Sequence, residues 1–119
     1  MIHLRHAGKP VPQGRPKFSK WGVYYGKTSK AYRKALVASL QEQHTSGPVE
    51  PPVSVTVEYC GMRRNGDPDN LLKQILDALQ DAGVLAVDTW PNVPDIRIVA
   101  VSGEPRVEII LEGGRHEGA

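Results

Sequence analysis

The chain has 119 residues and a formal net charge of +2, the size of one compact domain that can bury a core without metal or disulfide staples. Hydrophobic residues make up 39% and charged residues 24%, which excludes a disordered chain, and no apolar run approaches the roughly 20 residues a membrane-spanning helix needs. A single cysteine, Cys60, excludes an internal disulfide and a thiolate zinc cluster; with no apolar leader after Met1, the expected location is the reducing cytoplasm.

The near-neutral total conceals an asymmetry. Residues 1–41 hold nine Lys or Arg and no acid, whereas residues 42–119 hold six bases against thirteen acids, a net of −7. A basic third joined to an acidic body points to a polyanionic partner reached through the basic part.

In chain order, residues 1–7 alternate loosely and predict a short strand. The Pro- and Gly-rich run from Gly8 to Pro16 predicts an irregular loop. Two short strands follow near Lys17–Ser19 and Val23–Tyr25, turning at Trp21-Gly22. Tyr32, Leu36 and Leu40 recur every four residues and predict a helix over about 29–44, capped by Thr28 or Ser29. Val53, Val55, Val57 and Tyr59 alternate with polar residues and predict a half-buried strand. The stripe Leu71, Leu72, Ile75, Leu76, Leu79 and Ala82 predicts the clearest helix, opening at Pro68 or Asp69 and stopped by Gly83. Strands near 96–101 and 106–111 complete the chain. The expected fold is a single α+β domain over residues 1–112, two helices packed on a small mixed sheet, with a flexible tail at 113–119.

Asp67-Pro68-Asp69-Asn70 opens the second helix, and Asp69, Lys73 and Asp77 follow at intervals of four, on one side. Two carboxylates one residue apart can share an oxygen-seeking divalent cation such as Mg²⁺, with Asp88 in the following loop as a third ligand. A lysine beside them can stabilise charge developing on a phosphate. The same residues also suit a capped helix bearing ordinary i,i+4 ion pairs, Asp69 with Lys73 and Lys73 with Asp77; spacing alone leaves both readings open. In the basic third, Lys9, Arg15, Lys17, Lys20 and Lys27 interleave with Phe18, Trp21, Tyr24 and Tyr25, and Tyr32 follows. Cations neutralise phosphates and aromatic faces stack on bases, so the mixture suits nucleic acid, while a sheet core with a solvated face explains it equally.

The run Asp67-Pro68-Asp69-Asn70-Leu71-Leu72-Lys73-Gln74-Ile75-Leu76-Asp77-Ala78-Leu79 resembles the D-x-D-N-x-x-K-x-x-x-D-A-L signature of the RusA family of Holliday junction resolvases, the crossover junction endodeoxyribonucleases. Gly8 to Lys17 is similar to that family's opening G-x-P-x-P-K-G-R-P-R, with Gln13 where a lysine is common, and Lys27 to Tyr32 resembles the start of its next helix. With the interval from Lys73 to Asp88, the resemblance covers about residues 8–101. It implies a homodimeric, Mg²⁺-dependent endonuclease, with Mn²⁺ substituting, that resolves four-way DNA junctions by paired symmetric nicks in recombination and repair. The family's essential acids match Asp67, Asp69 and Asp88, expected to bind the metal, and its catalytic lysine matches Lys73. Candidate DNA contacts are Arg15, Lys17, Lys27, Arg63, Arg64 and Asn70. The chain departs from the family at Val87, where an aspartate usually precedes Asp88, along Asp88-Thr89-Trp90-Pro91-Asn92-Val93, and at Ala100, where many members carry lysine. These departures define the alternative, a non-cleaving junction- or single-strand-DNA-binding protein of the same fold.

Overall fold

A computed structural model describes residues 1–13, 17–20, 22–24, 26–62, 66–87, 89 and 91–114, with backbone alone at 17–19, 23 and 24. The elements in chain order are β1 (Ile2–Ala7), β2 (Lys17–Ser19), β3 (Gly22–Tyr24), α1 (Lys27–Gln43), β4 (Ser54–Cys60), α2 (Pro68–Asp81), β5 (Asp95–Ala100) and β6 (Arg106–Glu112). Among the described residues, β1, β6, β4 and β5 form one sheet in that spatial order, and β2 pairs with β3 as a separate hairpin. The sheet is mixed: β6 runs antiparallel to β1 and to β4, while β4 and β5 are parallel. The architecture is the α+β arrangement of two helices and a mixed sheet that the periodicities predict.

The period-two alternation of β4 places Val55 and Val57 inward, opposite Leu111 and Ile109 of β6, and all four are 0–1% exposed. Leu36 and Leu40 of α1 and Leu71, Ile75 and Leu79 of α2 complete the same core. Each such side chain contributes about 1.5–3 kcal/mol on leaving water, so the sheet and both helices stand or fall together.

Parallel strands require a crossover, and α2 is the crossover between β4 and β5. The helix therefore starts at the end of the sheet where β4 and β5 finish. Its ends are set locally. Asp67 is the N-cap, its carboxylate accepting the Asp69 N–H at 2.9 Å, and Pro68 occupies the first turn, where a missing N–H costs nothing. At the far end Gly83 takes φ +79°, and the Gly83 and Val84 N–H groups bond to the Gln80 and Leu79 carbonyls; this closing pattern needs a left-handed residue, which glycine supplies without strain.

α1 departs from its predicted start. Its N-cap is Gly26, with no side-chain cap, and the first turn closes through Lys30 N–H to the Gly26 carbonyl at 3.1 Å. Thr28 and Ser29 already lie inside the helix; Ser29 is buried, and its oxygens accept from an amide on α2. At the other end of the chain, the Gly114 N–H bonds to the Glu50 carbonyl, and residues 115–119 lie outside the described residues.

Candidate active site

The end of the sheet where β4 and β5 finish carries a surface pocket of about 300 Å³, lined by Tyr59, Cys60, Gly66, Pro68, Ala100 and Val101 among others. The space outside the carboxyl ends of parallel strands is where a crossover fold leaves room for a ligand. Asp67 and Asp69 flank Pro68 at this edge, and both are exposed. Asp67 is held in place: Oδ1 accepts the Asp69 N–H at 2.9 Å, and the Asn70 amide lies 3.4 Å from Oδ2. Asn70 therefore orients the Asp67 carboxylate. Ala100, where lysine is the commoner choice, lines the pocket wall.

Lys73 sits one turn further along α2, exposed, its Cβ about 5–6 Å from that of Asp69 by helical geometry. The ion pairs allowed by spacing do not form. Among the described residues Lys73 has no salt bridge, and Asp77 instead meets Arg33 of α1 at 3.3 Å. The reason is tertiary: Asp77 is half-buried in the cleft where the two helices meet and is taken up by Arg33, while Lys73 is exposed. Lys73 is thus free to act on a ligand.

Among the described residues no three His, Cys, Asp or Glu side chains cluster as a metal site. Asp67 and Asp69 supply two exposed carboxylates at the N-cap and in the first turn of α2, a donor set that fits a hard divalent cation, since Mg²⁺ takes only one or two protein carboxylates and fills the rest of its shell with water and phosphate. Asp88, Arg15, Arg63 and Arg64 lie outside the described residues. Of the other expected DNA contacts, Lys27 is exposed at the first position of α1, Lys17 lies in β2, and Asn70 is half-buried against Asp67.

Tyr32, the last member of the basic aromatic third, is not available to stack on a base. It is 9% exposed within the core, with the His6 ring edge-on at 5.5 Å. Burial pushes its phenol well above the ordinary range, and its hydroxyl has no hydrogen-bond partner among the described residues.

One polar residue escaped the sequence reading. Gln74 is fully buried on α2. Its side-chain carbonyl accepts from Arg33 Nε at 2.7 Å, and its amide donates toward Ser29 O, Ser29 Oγ and Val11 O at 3.2–3.4 Å. The spacing Leu71, Gln74, Ala78 already put it on the buried side of the helix; its polarity directed attention elsewhere.

Residues 7–112 match the family described as Endodeoxyribonuclease RusA. The match covers most of the chain, and the chain belongs to that family, a family of nucleases that act on branched DNA. A comparison with individual curated proteins found no match. No helix among the described residues is long and apolar enough to cross a membrane.

Proposed function

We propose that the chain is a Mg²⁺-dependent endodeoxyribonuclease that resolves four-way junctions by paired nicks, working as a homodimer. The observation that carries the reading is the helix start: two exposed carboxylates one residue apart, with a lysine one turn on that no described acid neutralises. A merely salt-bridged surface would have paired Lys73 with Asp69 or Asp77, and it does not.

In this reading Asp67, Asp69 and Asp88 hold the cation, with Asn70 fixing the Asp67 carboxylate. When bound, Mg²⁺ or Mn²⁺ supplies a more acidic water and Lewis-acid stabilisation of the phosphate oxygens. Lys73 offsets the negative charge that grows on the scissile phosphate. The carboxylates sit at the positive end of the α2 dipole, where acidic side chains stabilise a helix. Arg15, Lys17, Lys27, Arg63 and Arg64 contact the DNA backbone, which the acidic remainder of the chain would otherwise repel. A two-fold dimer sets two such sites against the two equivalent strands of a junction. Among the described residues β5 is an edge strand of the sheet, and its unpaired backbone edge is available to a second copy.

The test is cleavage of a synthetic four-way junction in Mg²⁺, with and without chelator, by the wild type and by Asp69→Asn. Paired nicks by the wild type, lost with chelator and with the substitution, are expected. Equal cleavage by both proteins overturns the mechanism, and junction binding without cleavage in Mg²⁺ or Mn²⁺ assigns the chain to the non-cleaving alternative.

A further inference from the structure

The guanidinium of Arg33 joins three segments that are far apart in sequence. From α1 it donates Nε to the buried Gln74 carbonyl of α2 at 2.7 Å. One terminal nitrogen lies 3.3 Å from Asp77 and 3.4 Å from the Gln13 side-chain oxygen, and the other lies 3.4 Å from Asp81. Gln13 ends the described part of the N-terminal loop, and its backbone N–H donates to the Asn70 carbonyl at 3.0 Å. Val11, two residues earlier, gives its carbonyl to the Gln74 amide at 3.4 Å. The loop is thus fastened along the first two turns of α2, beside the turn that carries Asp67 and Asp69. Immediately beyond Gln13 the chain continues into the basic run with Arg15 and Lys17.

A buried amide with every hydrogen-bonding group engaged has one orientation. An arginine fork, unlike a lysine, fixes direction as well as charge. Gln74 directly follows Lys73 in the chain, so the loop it fastens lies along the same turn of α2 as Lys73. The outer side of Arg33 faces an open groove of about 680 Å³ between the helices, so packing alone does not hold the guanidinium; its hydrogen bonds do.

We propose that Arg33 and Gln74 are positioning residues for phosphodiester cleavage: together they lock the N-terminal loop, as far as Gln13, in register with Asp67, Asp69 and Lys73. This rests on the nuclease reading and assigns to that site a part that touches neither metal nor DNA. Loosening the lock leaves every charge that attracts DNA in place, whereas the loop up to Gln13 loses its alignment with the acids. The cost therefore falls on the rate of cleavage more than on binding.

The test uses Arg33→Lys, which keeps the charge and loses the fork, and Gln74→Met, which keeps the volume and loses the acceptor. Three measurements are made on the full chain: single-turnover cleavage at saturating enzyme, junction affinity in Ca²⁺, and amide hydrogen exchange at Gln13 with thermal unfolding alongside. In Arg33→Lys, misalignment slows cleavage on the order of tenfold to a hundredfold with affinity within about threefold, the scale expected of a displaced reacting geometry. Exchange at Gln13 accelerates in both variants while the core amides of α2 stay protected. Unchanged protection at Gln13 in both variants overturns the proposal, as does a wild-type rate once that protection is lost. Loss of protection throughout both helices in Arg33→Lys, with a matching fall in Tm, also overturns it by assigning Arg33 to stability alone. A wild type that cleaves no junction in Mg²⁺ or Mn²⁺ removes the nuclease reading and the catalytic half of this proposal with it; the Gln13 exchange still reports whether the lock itself exists.

Discussion

Asp67 has two roles that substitutions can separate. As N-cap of α2 it accepts the Asp69 N–H at 2.9 Å, and as a carboxylate it is one of the proposed metal ligands. Asn keeps a side-chain oxygen for the cap and discards the charge; Ala discards both. Replacing an Asp cap by Ala costs about 1 kcal/mol, whereas Asn is an equally good cap; the lost attraction between carboxylate and helix dipole adds about 0.3–1 kcal/mol to either change at an exposed site. For a domain of this size a 1 kcal/mol loss lowers Tm by about 4 °C. Thermal unfolding without metal should therefore rank wild type above Asp67→Asn above Asp67→Ala, the last two separated by the cap. Junction cleavage should not follow that ranking. Both variants should lose activity together, on the order of a hundredfold or more, as when an electrostatic contributor at a reacting centre is removed. A fully active Asp67→Asn refutes the ligand role, and an Asp67→Ala as stable as Asp67→Asn refutes the cap.

Three further outcomes follow from the core and its edges. Tyr32→Phe removes a buried hydroxyl that has no partner among the described residues and should leave stability unchanged or raise it by about 1 kcal/mol; a loss of that size in urea unfolding would show that the hydroxyl is bonded. Burial against Tyr32 lowers the His6 pKa from its ordinary value of 6.5, so the unfolded chain binds the proton first. Stability should decline as pH falls below 6.5 and level off once pH is below the folded value, and His6→Gln should lose that part of the slope between pH 7 and pH 5; an unchanged slope refutes the assignment. Gly61 takes φ +87°, and a Cβ there would stand 2.7 Å from Pro105 Cβ. Gly61→Ala should thus cost at least about 1 kcal/mol from the backbone conformation and more from the overlap, read as a lower urea midpoint; an unshifted midpoint would contradict the close approach.

Local patterns carry much of this protein. The alternation in Val53–Tyr59 and the stripe from Leu71 to Leu79 name the inward faces because a strand repeats every two residues and a helix every 3.6, whatever the rest of the chain does. Pro68 and Gly83 bound α2 for reasons of backbone chemistry alone, and the Asp67 to Leu79 signature points to the nuclease family that the match over residues 7–112 supports. What spacing left undecided were the partners. Asp77 was equally placed for Lys73 and for anything across the cleft, and only the packing of α1 on α2 put Arg33 within 3.3 Å and left Lys73 unpaired among the described residues. Ser29 read as a cap and is a buried acceptor for Gln74; Tyr32 read as a stacking platform or as core, and the fold made it core. Periodicity reports which face a residue occupies. Which charge meets which depends on contacts between segments tens of residues apart, and those distances exist only once the chain has folded.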